Sequence, residues 1–108
     1  IGSDLQGVID VFNTGAERML GYYSHEIVGQ QSLTNFHLGS EIRRRGEEMS
    51  RESGRPIRGF DVLVENVRQG KHEEREWTYV RKDGSHVMVD LVVTARRDRF
   101  DRILGFRA

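Results

Sequence analysis

The stretch EWTYVRKDGSHVMVDLVV, Glu76 to Val93, carries the reading of the fold. Two runs rich in β-branched and aromatic residues, Glu76–Val80 and Val87–Val93, flank Arg81-Lys82-Asp83-Gly84. Asp-Gly between such runs signals a hairpin, because glycine takes the positive φ of a tight turn. Beyond the turn, Val87, Val89, Leu91, Val93 and Ala95 alternate onto one face, and Met88, Asp90, Val92 and Thr94 onto the other. That period of two predicts a strand, with its aliphatic face turned toward a core.

Downstream, Arg96 to Arg102 reads as a connection to a third strand, Ile103-Leu104-Gly105-Phe106. Its arginines are interleaved with Asp98 and Asp101, the pattern of an exposed turn that needs no nucleic-acid partner. Upstream, Phe60, Leu63, Val64 and Val67 stand at i, i+3, i+4 and i+7, a helix spacing closed by Gly70; a strand through Val62 and Val64 is the alternative. Ser40 to Ser53 predicts a longer helix, capped by Ser40, whose narrow apolar stripe is Ile42, Gly46 and Met49. Its Arg43-Arg44-Arg45 run is answered by Glu47, Glu48 and Glu52, and Glu47 with Arg51 forms a pair one turn apart.

At the start, Asp4-Leu5-Gln6-Gly7 predicts a turn into the strand Val8–Phe12, with residues 1–3 as its hairpin partner. Thr14 and Glu17 match a capping box for a first short helix stopped by Gly21; Ser24 caps a second, stopped by Gly29. Leu33, Phe36 and Leu38 anchor the irregular segment that follows. Two strands, several short helices and three strands define an α+β domain.

The 108 residues suit one domain, 1–108. Lys plus Arg (17) balance Asp plus Glu (17), which excludes the net basic field of a dedicated nucleic-acid or membrane-surface binder. The absence of cysteine excludes a disulfide framework, thiolate-ligated zinc and a thiolate nucleophile. No apolar run approaches the roughly 20 residues of a membrane span. The expected setting is the cytoplasm, as a module of a longer chain.

Asp4-x-x-Gly7-x-Ile9, Asn13, Glu17, Gly21-Tyr22, Glu26-Ile27-Val28-Gly29, Trp77, Arg81-Lys82-Asp83-Gly84, Val89-x-Leu91 and Gly105 together resemble a bacterial PAS domain. The resemblance spans nearly the whole chain. It implies a five-stranded antiparallel sheet, its first two and last three strands brought together, with several short helices covering one face. It also implies a non-catalytic sensory or dimerisation module that regulates an output domain in the same polypeptide, of histidine kinase or diguanylate cyclase type. One departure is Tyr23, which stands where the family usually carries a capping Ser, so that Ser24 is expected to take over the cap.

The cofactor consequences follow from residue chemistry. In the light-sensing branch of the family a cysteine shortly after the Gly29 equivalent attacks flavin; here that place is Ser32, and covalent flavin chemistry is excluded. Non-covalent flavin or a small metabolite is left open. The position from which a glutamine would read a flavin ring is Arg107, expected to point to water. Haem-binding relatives carry a proximal His on the long helix, whereas none lies between Ser40 and Ser53; His37 precedes it and reads as structural. His25, His72 and His86 show no metal-ligand spacing. No nucleophile elbow or phosphate-cradling glycine loop is present, and Asp90, the one carboxylate within the apolar strand, falls on the outward face, which argues against an enzyme.

Two sets of candidate residues result. Met19, Leu33, Phe36, Met49, Leu63, Trp77, Tyr79, Val89, Leu91 and Val93 should face the interior and line any ligand pocket, with Tyr79 as the polar handle. A filled core is the competing reading, since interiors pack near crystal density. Val80, Val92, Leu104 and Phe106 should form an outer apolar stripe that a second copy covers, making a homodimer.

Overall fold

The computed structural model describes residues 1–108. In chain order the elements are β1 (Gly2–Ser3), β2 (Ile9–Val11), α1 (Thr14–Leu20), α2 (Ser24–Ile27), a 3₁₀ turn (Leu33–Phe36), α3 (Gly39–Ser53), α4 (Asp61–Arg68), β3 (Glu73–Val80), β4 (His86–Arg97) and β5 (Ile103–Arg107). The strands form one antiparallel sheet in the order β2-β1-β5-β4-β3. The expected α+β architecture and the joining of the first two strands to the last three are present. No helix is long and apolar enough to cross a membrane.

The β3–β4 hairpin holds its register from Glu73 opposite Val93 to Val80 opposite His86. Trp77, Tyr79, Leu91 and Val93 turn inward and are buried against the helices, with Val87 and Val89 half-buried beside them. On α3 the buried residues are Ile42, Gly46 and Met49, the stripe read from spacing. Gly46 is required there, because a Cβ would come 2.8 Å from the carbonyl oxygen of Ile57. The segment read from the Phe60, Leu63, Val64 and Val67 spacing is helix α4, with Phe60 at its N-cap and Val62, Leu63, Val64 and Val67 buried.

Several local expectations are corrected. Asn13, not Thr14, caps α1 by accepting the Ala16 N–H at 2.9 Å. The Glu17 carboxylate is thereby free to accept the Ser24 N–H at 2.7 Å. Tyr23 keeps the N-cap position of α2 and donates its own N–H to Glu26 at 2.8 Å, so Ser24 is the first helical residue and not the cap. Helix α3 starts at Gly39 behind Leu38, and Ser40 is not its cap. Of the arginine run only Arg45 is paired, with Glu48 at 3.2 Å; the anticipated Glu47–Arg51 pair does not form.

The largest correction concerns Phe106, which is fully buried. Arg96 lies opposite Gly105 and Arg97 opposite Ile103, so Leu104 is an extra residue in β5. This bulge breaks the alternation that placed Leu104 and Phe106 on one side. Phe106 pairs with Ala95 and Ser3 on the inner face, where its ring meets Phe60 edge-on at 5.7 Å. Gly105 lets β5 sit there, since a Cβ would overlap the Ser3 carbonyl oxygen.

Both outer strands are tied to neighbouring segments. At β2, Ile9 donates its N–H to Gln31 and accepts from Gly29. At β3, Thr78 donates its N–H to the Glu41 carboxylate at 2.8 Å and accepts the Leu38 N–H.

Candidate functional site

Helix α1 leaves a gap over the inner face of β4. Ala16, Met19 and Leu20 recur at helical spacing along one wall of the gap. Val89 and Leu91, two residues apart on β4, form the other wall, with Tyr79 of β3 beside them. The result is a cleft of about 340 Å³ lined mostly by apolar side chains. Its polar groups are the side chains of Asn13 and Asp90, the hydroxyl of Tyr79, and the backbone ends of Ile1 and Ala108, where the Ile1 ammonium donates to the Ala108 oxygen at 3.0 Å. That composition suits a small, mostly apolar ligand held in orientation by one or two hydrogen bonds.

The hairpin turn fixes the cleft's width. Arg81 donates through Nε to the Met19 carbonyl at 3.0 Å, and Lys82 donates its N–H to the Leu20 carbonyl at 2.9 Å. These cations sit at the C-terminal end of α1, where the helix leaves carbonyls unpaired and the dipole favours positive charge. The Lys82 ammonium also contacts Glu26 at 2.5 Å; this bond holds the Glu26 carboxyl below its usual range and the lysine above its own. The Arg-Lys-Asp-Gly motif is thus a clamp between the β3–β4 hairpin and the first two helices.

Of the ten pocket candidates the cleft brings together Met19, Tyr79, Val89 and Leu91, although Met19 is 45% exposed at the cleft mouth and does not face the interior as expected. Leu33, Phe36, Met49, Leu63, Trp77 and Val93 are buried in the core and do not line it. Asn13, Ala16 and Leu20 were not anticipated as lining residues, although Ala16 and Leu20 share a helical face with Met19. Asp90 belongs to an exposed position as expected, yet it also reaches the cleft rim. It lies opposite Glu76, and its carboxyl is held above the usual range by hydrogen bonding with Glu74 and by the repulsion of Glu74 and Glu76.

Behind the cleft, Tyr79 joins an aromatic cluster. Phe36 packs against Phe12 at 5.8 Å, Tyr22 at 5.7 Å and Tyr79 at 6.3 Å. His37 stands edge-on to Trp77 at 4.9 Å and to Tyr79 at 5.0 Å. Burial pushes its imidazole down to about 4, and its Nδ1 is buried without a partner. Burial also pushes the Tyr79 phenol up to about 12, so it stays a neutral hydrogen-bonding group on the cleft wall. Ser32, at the place of the flavin-attacking cysteine, accepts the Thr34 N–H at 3.4 Å and so caps the 3₁₀ turn.

On the opposite side of the sheet, Val92 and Leu104 are exposed, joined by Met88 and Val11, while Val80 is half-covered. Arg107 is exposed and lies opposite Thr94 on that side. Phe106 is absent from it.

Residues 1–108 in full match the family described as PAS domain. The chain is 30% identical over 91 residues to Two-component system protein A of Emericella nidulans, a match that covers 84% of this chain and 11% of that protein. The chain therefore spans about a tenth of that curated relative. Among solved structures, the PAS domain of a protein from Colwellia psychrerythraea superposes with a TM-score of 0.71 at 20% identity, covering 98% of this chain and 77% of the other. The dark structure of the blue-light photoreceptor Aureochrome1 LOV superposes with a TM-score of 0.65 at 18% identity, covering 98% and 68%. At these identities the likeness establishes the fold. With the family match over its whole length and the sheet order and helical cover described above, the chain belongs to the PAS domain family.

Proposed function

We propose that this PAS domain is a non-catalytic sensor that takes a small, mostly apolar ligand between α1 and β4 and biases a linked output domain of histidine kinase or diguanylate cyclase type. The observation that carries the reading is the two-sidedness of β4. Val89 and Leu91 wall the cleft, and Met88 and Val92, their neighbours in sequence, are exposed on the outer face. A ligand that moves this strand changes both surfaces together, and it shifts a conformational equilibrium by its difference in affinity for the two states. The setting proposed is the cytoplasm, and the proposed assembly is a homodimer through the outer face.

Native mass spectrometry and an absorption spectrum of freshly purified protein test the ligand. A retained mass or chromophore that is lost in Val89→Trp, whose indole fills the cleft, is the expected result. Protein without added mass, and a Val89→Trp variant unchanged in every respect, would count against the sensor.

The dimer has its own test. Val92→Glu combined with Leu104→Glu should weaken self-association at least tenfold in sedimentation equilibrium, because two carboxylates would be desolvated in the interface. Unchanged association would remove the outer face from the proposal. Phe106 is left out of this test because it is buried in the core.

The closed interior around Phe36 favours a second reading, a purely structural homodimerisation domain with no ligand. That reading predicts a dimer intact without bound mass.

A further inference from the structure

The arginine run of α3 leaves charge that the domain does not neutralise. Arg43, Arg51 and Arg58 form no ion pair, although Arg45, Arg55 and Arg68 each do. These three border one groove of about 440 Å³ between α3 and the 56–59 segment, whereas Arg44, also unpaired, lies outside it. Gly46, Pro56 and Ile57 line the groove with them. Its one carboxylate is Glu47, also unpaired, so the groove carries a net charge of about +2 in a chain whose total is zero.

We propose that this groove is a docking site for an acidic protein segment with two carboxylates astride one apolar side chain. The charge selects the partner's sign, and the apolar strip between the guanidinium groups selects a peptide over a bare anion. Arg43 and Arg51 are eight positions apart on a helix, a separation of about 12 Å along its axis. An extended segment covers that distance in about four residues, so carboxylates at i and i+4 with an apolar residue between them match the site. Guanidinium groups suit this task because they grip carboxylates through paired N–H donors. The site lies away from the α1–β4 cleft and does not depend on a ligand there.

The test uses the 108-residue chain and a fluorescein-labelled peptide, Glu-Ala-Leu-Ala-Glu with blocked ends, followed by anisotropy. Saturable binding below 1 mM is expected, weakening at least fivefold between 50 and 300 mM salt through screening. Arg43→Glu with Arg51→Glu should weaken it at least tenfold, and the milder Arg43→Gln with Arg51→Gln should do so in the same direction. Both positions are exposed and unpaired, so the thermal midpoint of the Gln variant should match the parent, which separates lost docking from lost folding. In the Glu variant, Arg51→Glu adds a carboxylate in the last turn of α3, one turn from Glu47, and the midpoint should fall slightly. The proposal is overturned if no saturable binding occurs, if the Gln-Ala-Leu-Ala-Gln peptide binds equally, or if the double variants bind as the parent does. It is overturned in favour of nucleic acid if a single-stranded oligonucleotide binds more tightly than the peptide and loses affinity in the same variants.

Discussion

Phe106→Ala is expected to lower stability by about 3–5 kcal/mol, the range for truncating a buried phenylalanine. The side chain is fully buried, meets Phe60 at 5.7 Å and has the Arg68 guanidinium 5.8 Å from its ring centroid. Deleting it opens a void where β5, α4 and the segment leading into α4 meet. Domains of this size are commonly stable by only about 5–15 kcal/mol, so the loss is a large share of the whole. In thermal denaturation the midpoint should fall by about 15 °C or more. Leu104→Ala is the matched comparison. Leu104 is exposed and should change stability by less than about 0.5 kcal/mol in the monomer. Equal effects at the two positions would mean that the bulge is misplaced and that both side chains share one environment.

The second large effect is a loss of stability in mild acid traced to His37. The imidazole is held at about 4 in the folded chain against an ordinary value of 6.5, because burial between Trp77 and Tyr79 disfavours its charged form. The unfolded chain therefore binds a proton at a pH where the folded one does not, and stability falls as pH falls. The contribution is fully present above pH 6.5 and is lost progressively as pH drops toward 4. By pH 4.5 the loss should be on the order of 2–3 kcal/mol relative to pH 7.5. Urea denaturation of the parent and of His37→Phe across this range isolates it, since the other acidic and basic groups are common to both. Nδ1 is unpartnered, so the substitution orphans no hydrogen-bonding group. The variant should lack this component of the acid slope; identical slopes would show that His37 is protonated in the folded domain.

What could be read from the residues depended on how local each feature's cause was. The β4 alternation from Val87 to Ala95 is unbroken, and a period of two over that length leaves one choice of inner face. The Ile42, Gly46 and Met49 stripe is equally self-contained. The α1 cap was misread because Asn13 and Thr14 stand side by side, each with a suitable partner three residues on, and only the geometry of the entering chain selects between them. Phe106 was misplaced because the bulge that reverses it is set by the pairing of β5 with β4 and β1, which no pattern within four residues encodes. The cleft was half legible. Tyr79, Val89 and Leu91 follow from strand periodicity and Met19 from helical spacing, whereas which other inward residues stay uncovered depends on how far α1 stands from the sheet. The burial of His37 is likewise a tertiary fact, created when the segment before α3 crosses β3.

The ties that Ile9 makes to Gly29 and Gln31, and Thr78 to Leu38 and Glu41, decide how this domain can meet anything else. A free strand margin invites another chain to add itself backbone to backbone, the first step of both strand-capture recognition and fibrillar aggregation. Here the edge amides and carbonyls of Ile9 and Thr78 are already paired inside the molecule, and the rest of β3 presents Glu74, Arg75 and Glu76 to a newcomer. Interrupted at one point on each margin, the sheet favours association through side-chain surfaces, which can be tuned or broken by single substitutions without reopening it.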